Sequence, residues 1–291
     1  MRTIAARVLL FLLVSCLLVL LGVSCSGNNQ LILVTTSSTQ DSGLLDVLVP
    51  MFEDQYGYDV KTNAVGSGQA LKLGEQGEAD VILSHSPKAE EDFMAAGNGE
   101  SRQAVMHNDF IIVGPPDDPA VIRGSPDAVT AFSRIANAGA PFISRGDQSG
   151  TNVKELAIWD KVGIQPSGQG WYQETGQGQG ATLSVANDKR AYTLSDRATY
   201  LAQKANYTLD ILSQGDPALY NSYHVIVVNP DKHSQVNAKA ARDFAAFITS
   251  AATQNIIRDF GRDKFGQSLF VPDAYVQGAT ASATASPMPA R

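Results

Sequence analysis

An α/β protein with a mostly parallel sheet is the architecture expected of this chain, for three reasons. Short apolar runs of β type alternate with amphipathic stretches of helical period. The loops leaving those runs are rich in Ser, Thr and Gly, as befits ligand contacts at the carboxyl ends of parallel strands. No internal repeat or heptad pattern competes with that architecture.

Residues 31–36 (LILVTT) form the first apolar run, and the polar cluster Ser37, Ser38, Thr39, Gln40, Asp41 after it is expected to be a hydroxyl-rich loop. Leu44, Leu45, Leu48 and Phe52 then mark an amphipathic helix closing near Gly57. Residues 58–65 read as a second strand, and Gly66-Ser67-Gly68 opens a helix carrying Ala70, Leu71 and Leu73. Val81, Ile82 and Leu83 make a third strand, ending in Ser84-His85-Ser86-Pro87 before a helix over 88–96. A further strand lies within 105–114, where Phe110, Ile111, Ile112 and Val113 are stopped by Pro115-Pro116.

Beyond the prolines a second unit begins with a helix over 128–138 and a short strand at Pro141, Phe142 and Ile143. The segment 168–180 (GQGWYQETGQGQG) is expected to be a flexible loop, followed by a helix over 182–190. Residues 192–194 and 209–212 read as strands, with Ser195 or Asp196 capping a helix over 198–204. Residues 223–228 (YHVIVV) are a buried-strand run, and helices follow over 238–249 and 251–260. A tail over 276–291 is expected, its part from 278 being small residues and Pro with no apolar pattern and hence disordered.

Residues 142–159 say most about chemistry. Arg145, Ser149, Gly150 and Thr151 stand where the strand hands over to a helix whose Val153, Leu156, Ala157 and Trp159 fall at helical spacing. Ser149 or Thr151 can cap that helix, and Glu155 suits its positive end. Gly150 lets the backbone come close to whatever sits at the mouth. One guanidinium, two hydroxyls and free N–H groups make a ready anion site there, with Asp147 able to hold Arg145 in a fork-to-fork pair. The plainer alternative is a capped helix beside an arginine that is only a surface charge.

Composition bounds the rest. The chain has 291 residues, 44% hydrophobic and 18% charged, with a net charge of -7. That balance argues against nucleic acid or an anionic membrane as partner, since both select basic faces. Residues 1–24 read as a signal peptide, with Arg2 and Arg7 ahead of an apolar run over 8–23. The leader ends Leu21-Gly22-Val23-Ser24-Cys25, which resembles a bacterial lipoprotein box with Cys25 as the lipidated residue and 25–30 as a linker. Cys16 and Cys25 are the only cysteines, so the exported body has no disulfide, Cys-ligated metal or Cys nucleophile.

The motifs at residues 35–44 (TTSSTQDSGL), 65–70 (VGSGQA), 105–114 (VMHNDFIIVG), 144–151 (SRGDQSGT), 176–183 and 191–201 (AYTLSDRATYL) together resemble the periplasmic oxyanion-binding proteins of ABC transporters, most of all the tungstate-binding components. The third hydroxyl of the opening motif is usually Thr and is Ser37 here. The resemblance implies a type II periplasmic-binding-protein fold of two α/β lobes, each a mostly parallel sheet flanked by helices, closing on one tetrahedral anion in the cleft between them. Lobe one would be residues 31–113 plus 223–275, and lobe two 114–222. Carried over by motif, Thr36, Ser37, Ser38 and Ser67 would bind the oxyanion from the first lobe, and Arg145, Ser149, Gly150 and Thr151 from the second. It further implies an extracytoplasmic, lipid-anchored monomer that passes its anion to a permease, with no catalytic residue, metal or cofactor.

Phosphate at neutral pH keeps a proton and calls for a buried acceptor. Tungstate, molybdate and sulfate are aprotic and want donors only. The loop after the third strand reads Ser84-His85-Ser86 with no Asp or Glu, which favours an aprotic anion, although a neutral His85 could also accept. Tungstate over molybdate or sulfate rests on the resemblance alone. Among other classes, a serine hydrolase lacks the G-x-S-x-G elbow, and the four histidines are isolated in sequence. A nucleotide-phosphate loop at 173–179 lacks the P-loop lysine. Trp159, Trp171, Tyr172 and Tyr192 read as packing more than as a sugar platform. An anion sensor would share every feature above.

Overall fold

The computed structural model of the chain describes residues 29–274; the leader 1–24, Cys25 and the tail over 276–291 lie outside the described residues. In chain order the elements are β1 (Gln30–Thr36), α1 (Ser37–Asp41), α2 (Leu44–Tyr56), β2 (Asp59–Val65), α3 (Ser67–Glu75), β3 (Val81–Ser84), α4 (Pro87–Ala95), β4 (Gly99–Gly114), α5 (Ala128–Ala138), β5 (Phe142–Ser144) and α6 (Gly150–Val162). Then come β6 (Tyr172–Glu174), α7 (Gln179–Asp188), β7 (Thr193–Asp196), α8 (Arg197–Gln203), β8 (Asp210–Ser213), β9 (Tyr220–Val228), α9 (Ala238–Thr249), α10 (Ala251–Asp259), α11 (Arg262–Phe265) and β10 (Val271–Pro272).

The parallel character expected from the alternation holds for β1 with β2, β1 with β3, and β5 with β6. Strands β4 and β9 run antiparallel to each other and to their other neighbours, so the sheet is mixed. The cause is that β4 is shared. Its residues up to Asp109 pair with β9, and Phe110 to Gly114 pair with β7 and β8. A strand that leaves one half of the sheet and a strand that returns to it must run in opposite directions. The second half continues from β7 to β5 and β6 through a bridge between Tyr192 and Phe142.

Both halves are covered on both faces. Leu33, Val81 and Val225 pack under α2 and α9, while the next residue of each strand (Val34, Ile82, Ile226) packs on the opposite face with Ala70 and Phe93 of α3 and α4. In β4, Phe110 and Ile112 face one core, Ile111 and Val113 the other. Continuous apolar runs with period-two sorting are what a strand buried on both sides requires. Trp159, Trp171, Tyr172 and Tyr192 all belong to the cluster around Phe132 and Phe142, with Phe132 and Trp159 ring centroids 4.5 Å apart. They pack the core.

Several local expectations change. The cluster 37–41 is a helical turn, α1, because Thr36 caps it by accepting from the Thr39 N–H and because Ser38 and Thr39 are buried. Strand β4 begins at Gly99, ahead of the apolar run, and the glycine-rich segment contains β6 and the start of α7. Ser149 caps α6 and Asp196 caps α8, which resolves both alternatives. Glu155 does not sit free at a positive helix end. It is buried, with Oε1 accepting from Trp159 Nε1 at 3.2 Å and the Tyr172 hydroxyl at 2.8 Å.

Candidate functional site

Four helix mouths meet where the two halves of the sheet face each other. Arg145, just past β5, sends Nη2 to Ser37 Oγ at 2.9 Å. A methyl group on Gly66, ahead of α3, would lie 3.2 Å from the Asp147 carbonyl oxygen, and one on Gly68 would lie 3.4 Å from that of Gln148. One on Gly178, ahead of α7, would meet Ser37 at 3.4 Å. The mouths of α1, α3, α6 and α7 therefore enclose one common space. The approach is tightest at Gly66, where a methyl group would press on a backbone oxygen that cannot easily give way.

The residues expected at the site come together there, though not all in the same way. Arg145 is 2% exposed, which removes the surface-charge alternative. Asp147 Oδ2 accepts from its Nε at 3.2 Å and its Nη2 at 2.5 Å, and Asp147 Oδ1 accepts from the Ser149 N–H at 3.2 Å. Arg145 Nη1, Ser67 Oγ and Thr151 Oγ1 are buried with no hydrogen-bond partner among the described residues. Ser149 Oγ accepts from Asn152 N at 3.2 Å as the α6 cap, which leaves its own proton uncommitted. Gly150 and Thr151 open α6, where the first N–H groups have no intrahelical acceptor.

Thr36 and Ser38 stand beside these groups, but their hydroxyls are tied elsewhere. Thr36 Oγ1 lies 2.7 Å from Thr39 Oγ1 and 3.1 Å from Ser38 Oγ, and Ser38 Oγ lies 3.0 Å from His85 Nε2. Ser38 still holds a backbone N–H in the first turn of α1, without an intrahelical acceptor. Behind them runs a buried polar network that motif reading left without a role. His85 Nδ1 is 2.8 Å from Asn221 Oδ1, and Asn221 Nδ2 donates to Asp196 Oδ2 at 2.9 Å. Asp196 Oδ2 also accepts from Asn108 Nδ2 and the Tyr223 hydroxyl, and its Oδ1 from Thr199 N. Asn108 and Asp196 both lie inside matched motifs; the missing signal was their pairing with each other across 88 positions of sequence.

The electrostatics favour a small, acceptor-only ligand. Both oxygens of Asp147 and of Asp196 are already occupied by donors. Asp41, whose Oδ2 accepts from Gly180 N at 3.2 Å, is raised above the usual carboxylate value by burial, partly opposed by that bond and by Arg145. Burial lowers His85, while Asp196 and Asn221 act the other way. What remains uncommitted is a guanidinium nitrogen, hydroxyls and helix N-termini, all suited to negative charge. Among the described residues no group of three or more His, Cys, Asp or Glu could hold a metal ion.

A family model described as a PBP superfamily domain matches residues 24–252. A Peptoclostridium acidaminophilum protein named tungstate-binding protein TupA is 49% identical over 247 residues, covering 84% of this chain and 86% of that protein. The crystal structure of the tungstate ABC transporter from Geobacter sulfurreducens is 48% identical, covers 79% of this chain and 98% of its own, and superposes with a TM-score of 0.72. The tungstate binding protein TupA from Desulfovibrio alaskensis G20 is 41% identical, covers 84% of this chain and 98% of its own, and gives a TM-score of 0.70.

Proposed function

The chain belongs to the PBP superfamily, in the company of tungstate-binding proteins, and on that premise we propose that it captures tungstate outside the cytoplasm and delivers it to an ABC transporter permease. The observation that supports this most is that Ser67 Oγ, Arg145 Nη1 and Thr151 Oγ1 are buried together without protein partners. A buried donor left without an acceptor is costly, and a dianion seated among these three removes that cost. Charge-assisted bonds of this kind contribute about 1.5–3 kcal/mol each.

The lobes we assign are residues 31–113 plus 223–275 and residues 114–222, hinged on β4 and β9. In this arrangement Ser37 and Ser67 act from one side, with backbone N–H groups of the segment after Thr36. Arg145, Ser149, Gly150 and Thr151 act from the other. Asp147 and Asp196 have donors at both oxygens and offer no free acceptor for a proton on the ligand. That supports an aprotic oxyanion over hydrogen phosphate. Molybdate, nearly isosteric, is the natural competitor. The protein acts by binding and not by turnover, as a monomer held to the membrane through lipidated Cys25.

Calorimetric titration of the purified body with sodium tungstate, molybdate, sulfate and phosphate tests this. Submicromolar tungstate binding with phosphate far weaker is the expected result. Phosphate binding as tight as tungstate would overturn it.

A further inference from the structure

The network behind the site has a fixed direction at one end. Asp196 is buried and accepts only, so the Asn221 atom facing it is the amide nitrogen and the atom facing His85 is the oxygen. His85 Nδ1 must therefore carry hydrogen. In a neutral imidazole Nε2 is then an acceptor, and the Ser38 hydroxyl points its proton at it. Ser38 Oγ in turn accepts from Thr36, and Thr36 from Thr39. In that polarity every hydroxyl proton of the chain runs toward the imidazole.

One added proton reverses it. With hydrogen on Nε2, His85 donates to Ser38, Ser38 to Thr36, and the last hydroxyl of the chain has its proton free. The ring is placed to feel what occupies the site: a methyl group on Gly150 would lie 2.9 Å from His85 Cε1 and Nδ1, so the imidazole rests on the first residue of α6. The charges around it are mixed. Asp196 at the head of α8 and Glu90 of α4 favour the imidazolium, Arg145 opposes it, and burial opposes it most. Its faces pack on Tyr223 and Phe110, with centroids 4.7 and 6.1 Å away. Lys88 and Lys154 line the same groove as its edge.

We propose that His85 is a positioning residue for the anion: it takes up one proton from solvent at Nε2 when a dianion binds, and the hydroxyl chain Ser38–Thr36–Thr39 reverses its polarity. No bond in the anion changes. The site gains one positive charge beside the first residue of α6, which favours a doubly charged, unprotonated oxyanion. This deepens the tungstate assignment and rests on it.

The test is calorimetry with micromolar sodium tungstate between pH 6 and pH 8, in buffers of different ionisation enthalpy. Proton uptake shows as a binding enthalpy that tracks the buffer, and as an affinity that rises toward pH 6 by up to about tenfold per pH unit for one proton. His85→Gln, whose amide can still bond Ser38 or Asn221, is expected to bind tungstate more weakly with a flat pH profile and no buffer dependence. The nitrogen-15 shifts of His85, read by NMR with and without tungstate in the unaltered protein, report the same event without any substitution. Tight binding that is independent of pH and buffer, with an imidazole that stays neutral, overturns the proposal while leaving tungstate capture intact. No tungstate binding at any pH removes the capture assignment itself.

Discussion

Arg145 Nη2 and Ser37 Oγ lie 2.9 Å apart across the space between the two halves of the sheet, although 108 residues separate them in the chain. Nη2 bonds Ser37 and, with Nε, Asp147, which leaves Nη1 with no partner among the described residues. Replacing Arg145 by Ala is expected to weaken tungstate at least tenfold, or about 1.4 kcal/mol, by calorimetry. Lys in its place should recover only part of that, because an ammonium cannot hold Asp147 and a ligand in one rigid plane.

Gly150→Ala separates closure from folding. The residue is helical, so alanine is tolerated or favoured by the helix itself. The new methyl group, however, would come within 2.9 Å of the His85 ring and of its carbonyl oxygen. Thermal unfolding should change little while tungstate affinity drops by about tenfold or more. A variant that keeps full affinity contradicts the contact between α6 and His85.

Glu155 makes folding sensitive to pH. Burial raises its carboxyl from 4.5 to about 7, against the donors Ser144, Tyr172 and Trp159. The native state therefore keeps a proton that the unfolded chain releases, and stability falls as pH rises from about 4.5 to about 7, by about 3 kcal/mol in all. Glu155→Gln should flatten urea-unfolding stability across that window. It should also abolish a fluorescence transition of Trp159 near pH 7, since the indole N–H bonds this carboxyl.

Asp196 is expected to be the most costly polar position to alter. As a carboxylate it meets donors at both oxygens, and an amide can satisfy only one set. Asp196→Asn should lower unfolding free energy by about 2–4 kcal/mol at pH 7.

The strands and most helices were legible because period and punctuation are local. Leu33 and Val34 announce a doubly buried strand, and Gly57 and Gly139 stop helices by adopting positive φ. α1 was not legible. Ser, Thr, Gln and Asp compete with the helical backbone, and only the Thr36 cap and burial decide for a helix. The donors Arg145, Ser67 and Thr151 could be read because helix mouths declare themselves in sequence. His85 could not, since Ser38 and Asn221, its partners, lie 47 and 136 positions away and nothing local links them. Glu155 misled for a related reason: its place near a helix start was visible, and the tyrosine that receives it was not.

The position of β9 between β3 and β4 bears on how the chain is assembled. Residues 81–84 and 99–109 are made long before 220–228, yet the edge of each that faces β9 stays unpaired until those arrive. During synthesis, a growing chain holds two bare sheet edges side by side while everything from 114 to 219 collapses on its own. Such edges recruit other chains. Anything that delays β9, including truncation before Val228, should therefore show itself first as aggregation in a crowded cell, ahead of any loss of anion binding in a test tube.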